Sequence, residues 1–200
     1  MALSSRSLEP ELLDHLPPDD ARAVRSRGDL RRINAIMGNA RIIARHLGTA
    51  QRIADLGGGD GSLLRGLANR RGLKIINVDR IHGLDVFDFL ASPAAPLDAF
   101  VANLFLHHLD AAGLRRLFAL AAARAPLFIA CEPRRSRLAL AASRLVGLIG
   151  ANDVTRHDSV ISVRAGFRDR ELSAAWPAGW QLLERPAWPF SHLFVARRDA

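Results

Sequence analysis

The densest chemistry in this chain lies at Ile53-Ala54-Asp55-Leu56-Gly57-Gly58-Gly59-Asp60-Gly61-Ser62. An apolar run enters a glycine-rich turn, and the turn opens a helical pattern. Glycine reaches positive φ and lets a ligand approach the backbone without a Cβ in the way. The helix start behind it offers free N–H donors. Asp79 follows at the end of the next apolar run, about 20 residues beyond the turn, where a carboxylate accepts from ribose hydroxyls. Together these residues describe a site for an adenosine-containing ligand. A bare tight turn and a helix cap are the plain alternatives. The glycines at 57, 59 and 61 put the third one residue too early for the G-x-G-x-x-G pattern that seats a pyrophosphate. Asp55 would also repel such a group, so a ligand with an ammonium and no phosphates fits better. Asp55 either binds that ammonium or braces the turn.

Residues 55–61 resemble motif I of the class I S-adenosylmethionine-dependent methyltransferases, and Asp79 resembles their ribose-binding acid. The run Leu97–Leu109 looks like that family's fourth strand and the loop after it, Ile129–Pro133 like its fifth strand, and Phe190–Arg197 like its last, antiparallel strand. Residues 103–109, 131–136 and 152–158 look most like bacterial small-molecule methyltransferases. The resemblance implies a Rossmann-like α/β fold, with a mostly parallel sheet, an antiparallel last strand and helices on both faces. It implies S-adenosyl-L-methionine as cofactor. Carried over residue by residue, it implies contacts from Asp55, Gly57, Gly58, Gly59, Gly61, Asp79, Arg80, Asp85, Val86 and Asn103, with Asp85-Val86 as the adenine pair. For Asn103 a strand-end cap is an equal alternative. The chain departs from the pattern in one place. Only five residues separate Asp79 from Asp85, whereas a parallel crossover needs a dozen or more. The usual third strand is therefore missing or reached by a direct turn.

Methyl transfer is an in-line displacement at a sulfonium carbon, and positioning supplies much of the acceleration. A hydroxyl acceptor also gains from a base with a pKa near working pH, for which histidine, at about 6.5, is suited. His107 and His108 follow the third apolar run and are the candidate catalytic residues. The alternative is that they merely start the next helix. Glu132 is a candidate for substrate contact and His157-Asp158 a candidate oriented histidine. Arg134, Arg135 and Arg156 could receive an anion, and His192 reads as structural. No metal site is expected, since one cysteine and seven scattered histidines make a poor ligand set.

These residues need a scaffold of alternating strands and helices. Strands are expected at Arg52–Leu56, Lys74–Val78, within Leu97–Leu104, and at Leu127–Cys131, the last stopped by Glu132-Pro133. Gln181–Glu184 and His192–Ala196 are expected as a final hairpin. Helices are expected at Ser62–Asn69, Asp110–Arg124, Ser136–Gly150 and Asp169–Ala175. Residues 1–48 read as helical, with Pro17-Pro18-Asp19-Asp20 as a start signal, an apolar stripe from Leu30 to Ala44, and Gly48 as the stop. One domain over 1–200 is expected. It would comprise an N-terminal helical lid (1–48), a cofactor half (50–133), a substrate-side insertion (134–168) and a C-terminal helix with strands (169–200).

Composition narrows the function class. The 200 residues carry +8 net charge and 49% hydrophobic content, enough for a packed core. One cysteine excludes a disulfide framework and fits a cytoplasmic location. No stretch is long and apolar enough to span a membrane. The positive charge is nearly all arginine and scattered, which favours a solvated surface over a polyanion-binding face. The expected partner is a small, partly apolar acceptor such as a phenol or polyketide. A nucleic-acid methyltransferase is the runner-up. Against it, Ala102-Asn103-Leu104-Phe105 lacks the Asn/Asp-Pro-Pro-aromatic motif of base-amine methylation. A third reading is a non-catalytic module whose short Asp79–Asp85 link has disabled the site.

Overall fold

The computed structural model describes residues 3–92 and 95–199; the first two residues of the expected lid lie outside these. The strands are β1 Arg52–Leu56, β2 Lys74–Val78, β3 Ala99–Asn103, β4 Leu127–Pro133, β5 Trp180–Ala187 and β6 Ser191–Arg198. They form one sheet in the order β2-β1-β3-β4-β6-β5. β1 to β4 run parallel, and β6 inserts antiparallel between β4 and β5. Every residue of β3 and β4 is buried, as expected of parallel strands covered on both faces.

Among the described residues seven helices surround the sheet: α1 Ala21–Met37, α2 Asn39–His46, α3 Ser62–Arg71, α4 Val86–Ala91, α5 Ala111–Arg124, α6 Arg137–Arg144 and α7 Asp153–Ala165. The two faces of the sheet pack differently. One gathers Phe100, Phe118, Phe128, Trp176 and Phe194, with Phe118 and Phe128 edge to face at 5.4 Å. The other is aliphatic, built on Ile43, Ile53, Leu64, Val101 and Ile129.

The fold agrees with the expected class and corrects it in detail. Asp20 caps α1 by accepting from the Arg22 N–H, but the apolar stripe of residues 30–44 breaks at Gly38, whose φ of 68° turns the chain into α2. The short link after Asp79 leads to no strand. Asp85 accepts from the Phe87 and Asp88 N–H groups and caps α4, and the chain then enters β3 beside β1. β4 does not stop at Cys131 but runs through Glu132 and Pro133, which face His192 and Ser191 of β6. The expected helix over 136–150 ends at Arg144 and continues as a 3-10 turn, Val146–Ile149. At 169–175, Asp169 sits at φ 54°, outside the helical region, and only Ser173–Ala175 forms a 3-10 turn. α7 was not expected from the sequence. Asn152 caps it by accepting from the Thr155 N–H.

Candidate active site

Strand order reverses between β1 and β3, so the crevice at their carboxyl ends is the natural binding place in an open α/β sheet. The glycine turn follows β1 there. Gly57, Gly59 and Gly61 have φ of 67°, 55° and 69°. A Cβ on Gly57 would stand 2.3 Å from the Phe105 ring, whereas nothing lies within 4 Å of the Cβ position on Gly59. The turn is tight on the protein side and open on the other. Asp79 fixes its outer arm. One carboxylate oxygen accepts from the Gly59 N–H (2.8 Å), the other from the Ile81 N–H (2.9 Å). Asn77 donates to the Gly59 carbonyl (2.8 Å).

Gly57, Gly59 and Asp79 line a cavity of about 1190 Å³, together with Arg80, Asp85 and Val86. The short link after Asp79 is therefore part of the cavity wall. Arg80 pairs with Asp85 at 3.3 Å, and the Asp85 carboxylate also serves α4 as its cap. Asp55 lies behind the turn instead. Its oxygens are buried and without a hydrogen-bond partner among the described residues, and Oδ2 stands 2.6 Å from the Cβ position on Gly58. Burial first, and the Asp79 charge second, push the Asp55 carboxyl up to about 7. Asn103 is also off the wall. Its amide accepts from Asn39 (2.8 Å) and donates to Asn34 (3.0 Å), tying the α1–α2 corner to the end of β3.

The residues present fit an adenosyl donor. Gly59 leaves room where a side chain would intrude, and each Asp79 oxygen retains an acceptor position beyond its backbone bond. Asp55 offers a neutral or anionic acid beneath the turn, not a contact on the wall.

His107 and His108 line the same cavity, on the turn that follows Phe105. His107 is 3% exposed and held at both nitrogens: Nδ1 lies 2.8 Å from Glu132 and Nε2 3.3 Å from Glu11. Burial opposes its charge, but the two carboxylates outweigh burial and raise its pKa to about 9. His107 is thus a cation at neutral pH. Glu132 also accepts from the Phe105 and Leu106 N–H groups (3.0 and 2.9 Å), fixing the turn that carries both histidines. His108 lies beside it, with ring centres 4.2 Å apart and Nδ1 3.5 Å from Asp14. Burial, then the His107 charge, lower the His108 pKa. Glu11, His107 and His108 each bring a ligand atom within 4.8 Å of the others.

The remaining wall comes from the N-terminal segment, α1, α6 and α7. It is held by polar pins. Asp158 accepts from the Leu12 and Leu13 N–H groups (2.9 and 3.0 Å). Buried Asp29 accepts from the Asn152 N–H (2.8 Å), the Thr155 hydroxyl (3.1 Å) and Arg32. Glu11 accepts from Ser162. His157 is oriented by Asp158 (Nδ1 to Oδ1 2.9 Å), but it is not among the residues that line the cavity. Arg135 is buried and bonded to Glu171 and the Gly166 carbonyl, which leaves it no role as an anion receptor. Buried His192 bonds Glu184 at 2.8 Å, as a structural histidine does. Glu11 and Asp29 carried no sequence signal. Glu132 reaches the histidine turn rather than standing as a free substrate contact.

No protein-family model and no curated protein matches the chain. Solved structures do match its fold. Human N-acetylserotonin methyltransferase in complex with SAM is 15% identical, with a TM-score of 0.61, covering 94% of this chain and 61% of that one. The N,N-8-amino-8-demethyl-D-riboflavin dimethyltransferase RosA from Streptomyces davawensis is 20% identical, with a TM-score of 0.63, covering 95% and 62%. The plantazolicin methyltransferase BpumL, in complex with a triazolic desmethylPZN analog and SAH, is 10% identical, with a TM-score of 0.68, covering 90% and 92%. The chain spans about three fifths of the length of the first two structures. The fold at the centre of this site is therefore the one found in S-adenosylmethionine-dependent methyltransferases.

Proposed function

We propose that the protein transfers a methyl group from S-adenosyl-L-methionine to a hydroxyl of a small, partly apolar acceptor. The observation that carries this reading is that Gly57, Gly59 and Asp79 line the same cavity as His107 and His108. At about 1190 Å³ the cavity exceeds the common range for a single small ligand, roughly 300–1,000 Å³, and has room for donor and acceptor together.

The donor supplies an electrophilic methyl on a sulfonium sulfur. Asp79 accepts from the ribose hydroxyls, and the turn at 57–61 lets the donor lie against backbone. Arg80, Asp85 and Val86 border the adenine side. Residues 3–48 and 134–168 act as lid and acceptor wall, and their apolar side chains exclude water and orient the acceptor. His108 Nε2, the nitrogen turned away from Asp14, receives the acceptor's proton. As the new C–O bond forms, the C–S bond breaks and its electron pair goes to sulfur. His107 is a positioning residue. Locked between Glu132 and Glu11, its charge keeps the neighbouring His108 unprotonated and ready as a base. The apolar wall supports a small acceptor over a polynucleotide, which would call for stacking aromatics along a basic trough.

Calorimetry with S-adenosylmethionine and S-adenosylhomocysteine tests the reading. Micromolar binding is expected. Asp79→Ala should weaken it on the order of 100-fold, since it removes hydrogen bonds to a charged acceptor. Absence of heat at millimolar ligand would sink the proposal and leave a non-catalytic module.

A further inference from the structure

α6 is turned the wrong way round for a surface helix. Its inward side presents small residues, Ala139 and Ser143. Its outward side presents Leu138, Ala141 and Leu145 at helical spacing, and the following 3-10 turn adds Leu148. Leu138 is 53% exposed, Leu145 57% and Leu148 83%. Leu145 and Leu148 also line the cavity, so this apolar ridge borders its opening. Contiguous exposed leucines of this kind mark an interaction surface.

Arginines surround the ridge. Arg137 and Arg144 lie on α6 itself, both exposed. Arg25 and Arg32 of α1 each place a guanidinium nitrogen 3.5 Å from the Gly150 carbonyl. Arg156 of α7 comes to 3.2 Å from the Cβ position on Gly147. Among these arginines stand Asp29, which is buried and paired with Arg32, and Asp153, beside Arg144 and Arg156, while Glu9, Glu11 and Asp14 belong to the cavity wall. The collar is net positive.

We propose that this face docks on an anionic lipid surface, with Leu145 and Leu148 set among the acyl chains and the arginines at the level of the phosphates. The composition is that of an interfacial amphipathic helix, apolar on one side and basic at its margins. A protein partner fits less well. Stable protein interfaces cover roughly 800 Å² on each side and are enriched in aromatic anchors, whereas this ridge is one helix wide and aliphatic. Among the described residues no helix is long and apolar enough to cross a membrane, so the contact is peripheral. It would open the cavity toward the lipid, from which an amphiphilic molecule could enter without crossing water. The inference does not depend on methyl transfer, because lipid binding is read without a donor.

The test is sedimentation of the full chain with vesicles of phosphatidylcholine containing phosphatidylglycerol, against phosphatidylcholine alone. The protein should partition to the anionic vesicles, and less so as salt rises. Leu148→Glu should reduce partitioning more than about tenfold, losing an inserted side chain and adding repulsion. Arg144→Ser should reduce it about fivefold. Leu183→Glu, the same change on β5, should leave it unaltered, and thermal melts should show all variants folded. The proposal fails if the folded wild type ignores anionic vesicles or if Leu148→Glu binds as the wild type does. It also fails if light scattering shows a dimer that Leu148→Glu splits, which would make the ridge a contact between copies of this chain.

Discussion

The two sides of the cavity are built by different means. On the side of the glycine turn the fastening bonds are short in sequence: Gly59 to Asp79 spans 20 residues and Asn77 to Gly59 spans 18. Both lie within one β-turn-α-β unit, which Arg31 of α1 joins from outside through Asp60 (2.6 Å). Around the N-terminal segment, α7 and His107 the bonds reach across the chain. Ser26 meets Thr155 at a separation of 129, Leu12 meets Asp158 at 146, and Glu11 meets His107 at 96. On the proposed reading, the donor site is fastened mostly within one unit, whereas the acceptor wall is assembled from distant pieces of the chain. The contrast predicts that damage to one side leaves the other working.

The sharpest test is His108→Gln. It should lower kcat by about 10²–10⁴, the usual contribution of a general base, while the donor Kd stays within about twofold. A comparable loss of donor binding would break the division between the two sides. Asp55→Asn probes the donor side through stability. The folded pKa of Asp55 is raised from 3.8 to about 7, so the folded state holds the proton more tightly. Wild-type stability should be full below about 3.8 and fall as pH rises toward 7, by up to about 4 kcal/mol. Denaturant melts at pH 8 should find the asparagine variant more stable, and its pH profile flatter between 4 and 7.

Asp29→Ala attacks the acceptor side. Removing a buried acceptor shared by α1 and α7 should cost about 3 kcal/mol in chemical denaturation. Among folded molecules it should raise the acceptor KM without moving the donor Kd. The smallest expected change concerns His107. Its folded pKa, raised from 6.5 to about 9, makes its contribution to stability fully present below 6.5 and lost as pH climbs through 9. His107→Gln should remove that alkaline slope, seen as a melting temperature less dependent on pH between 7 and 9.5.

The same contrast explains what could be read in the residues alone. β1 and β2 are bounded by the residues expected, because β1 runs into a glycine turn and β2 lies between the Gly72 helix cap and Asp79. The placement of Asp79 beside the turn is legible because one intervening helix fixes its distance. α4 was missed because Asp85-Val86 was read through a family resemblance. The local rule, a capping aspartate before an apolar run, gives the observed helix. α7 could have been found the same way from Asn152. Glu11 and Asp29 could not: each acts on a partner about 100 residues or more away, and nothing in its neighbourhood announces that. Asn103 lies where the resemblance placed it, at a strand end, yet it serves the α1–α2 corner, whose asparagines have no local signature.

β6 has a consequence for how the chain is made. β4 gains its second neighbour only when Ser191–Arg198 arrives, about sixty residues after β4 itself. At synthesis rates of roughly 5–20 residues per second, the inner edge of a fully buried strand stays open for about 3–12 seconds. An open edge of that kind invites pairing with other chains. Nascent protein should therefore depend on a chaperone during that window, and fragments ending before residue 191 should be recovered as aggregates.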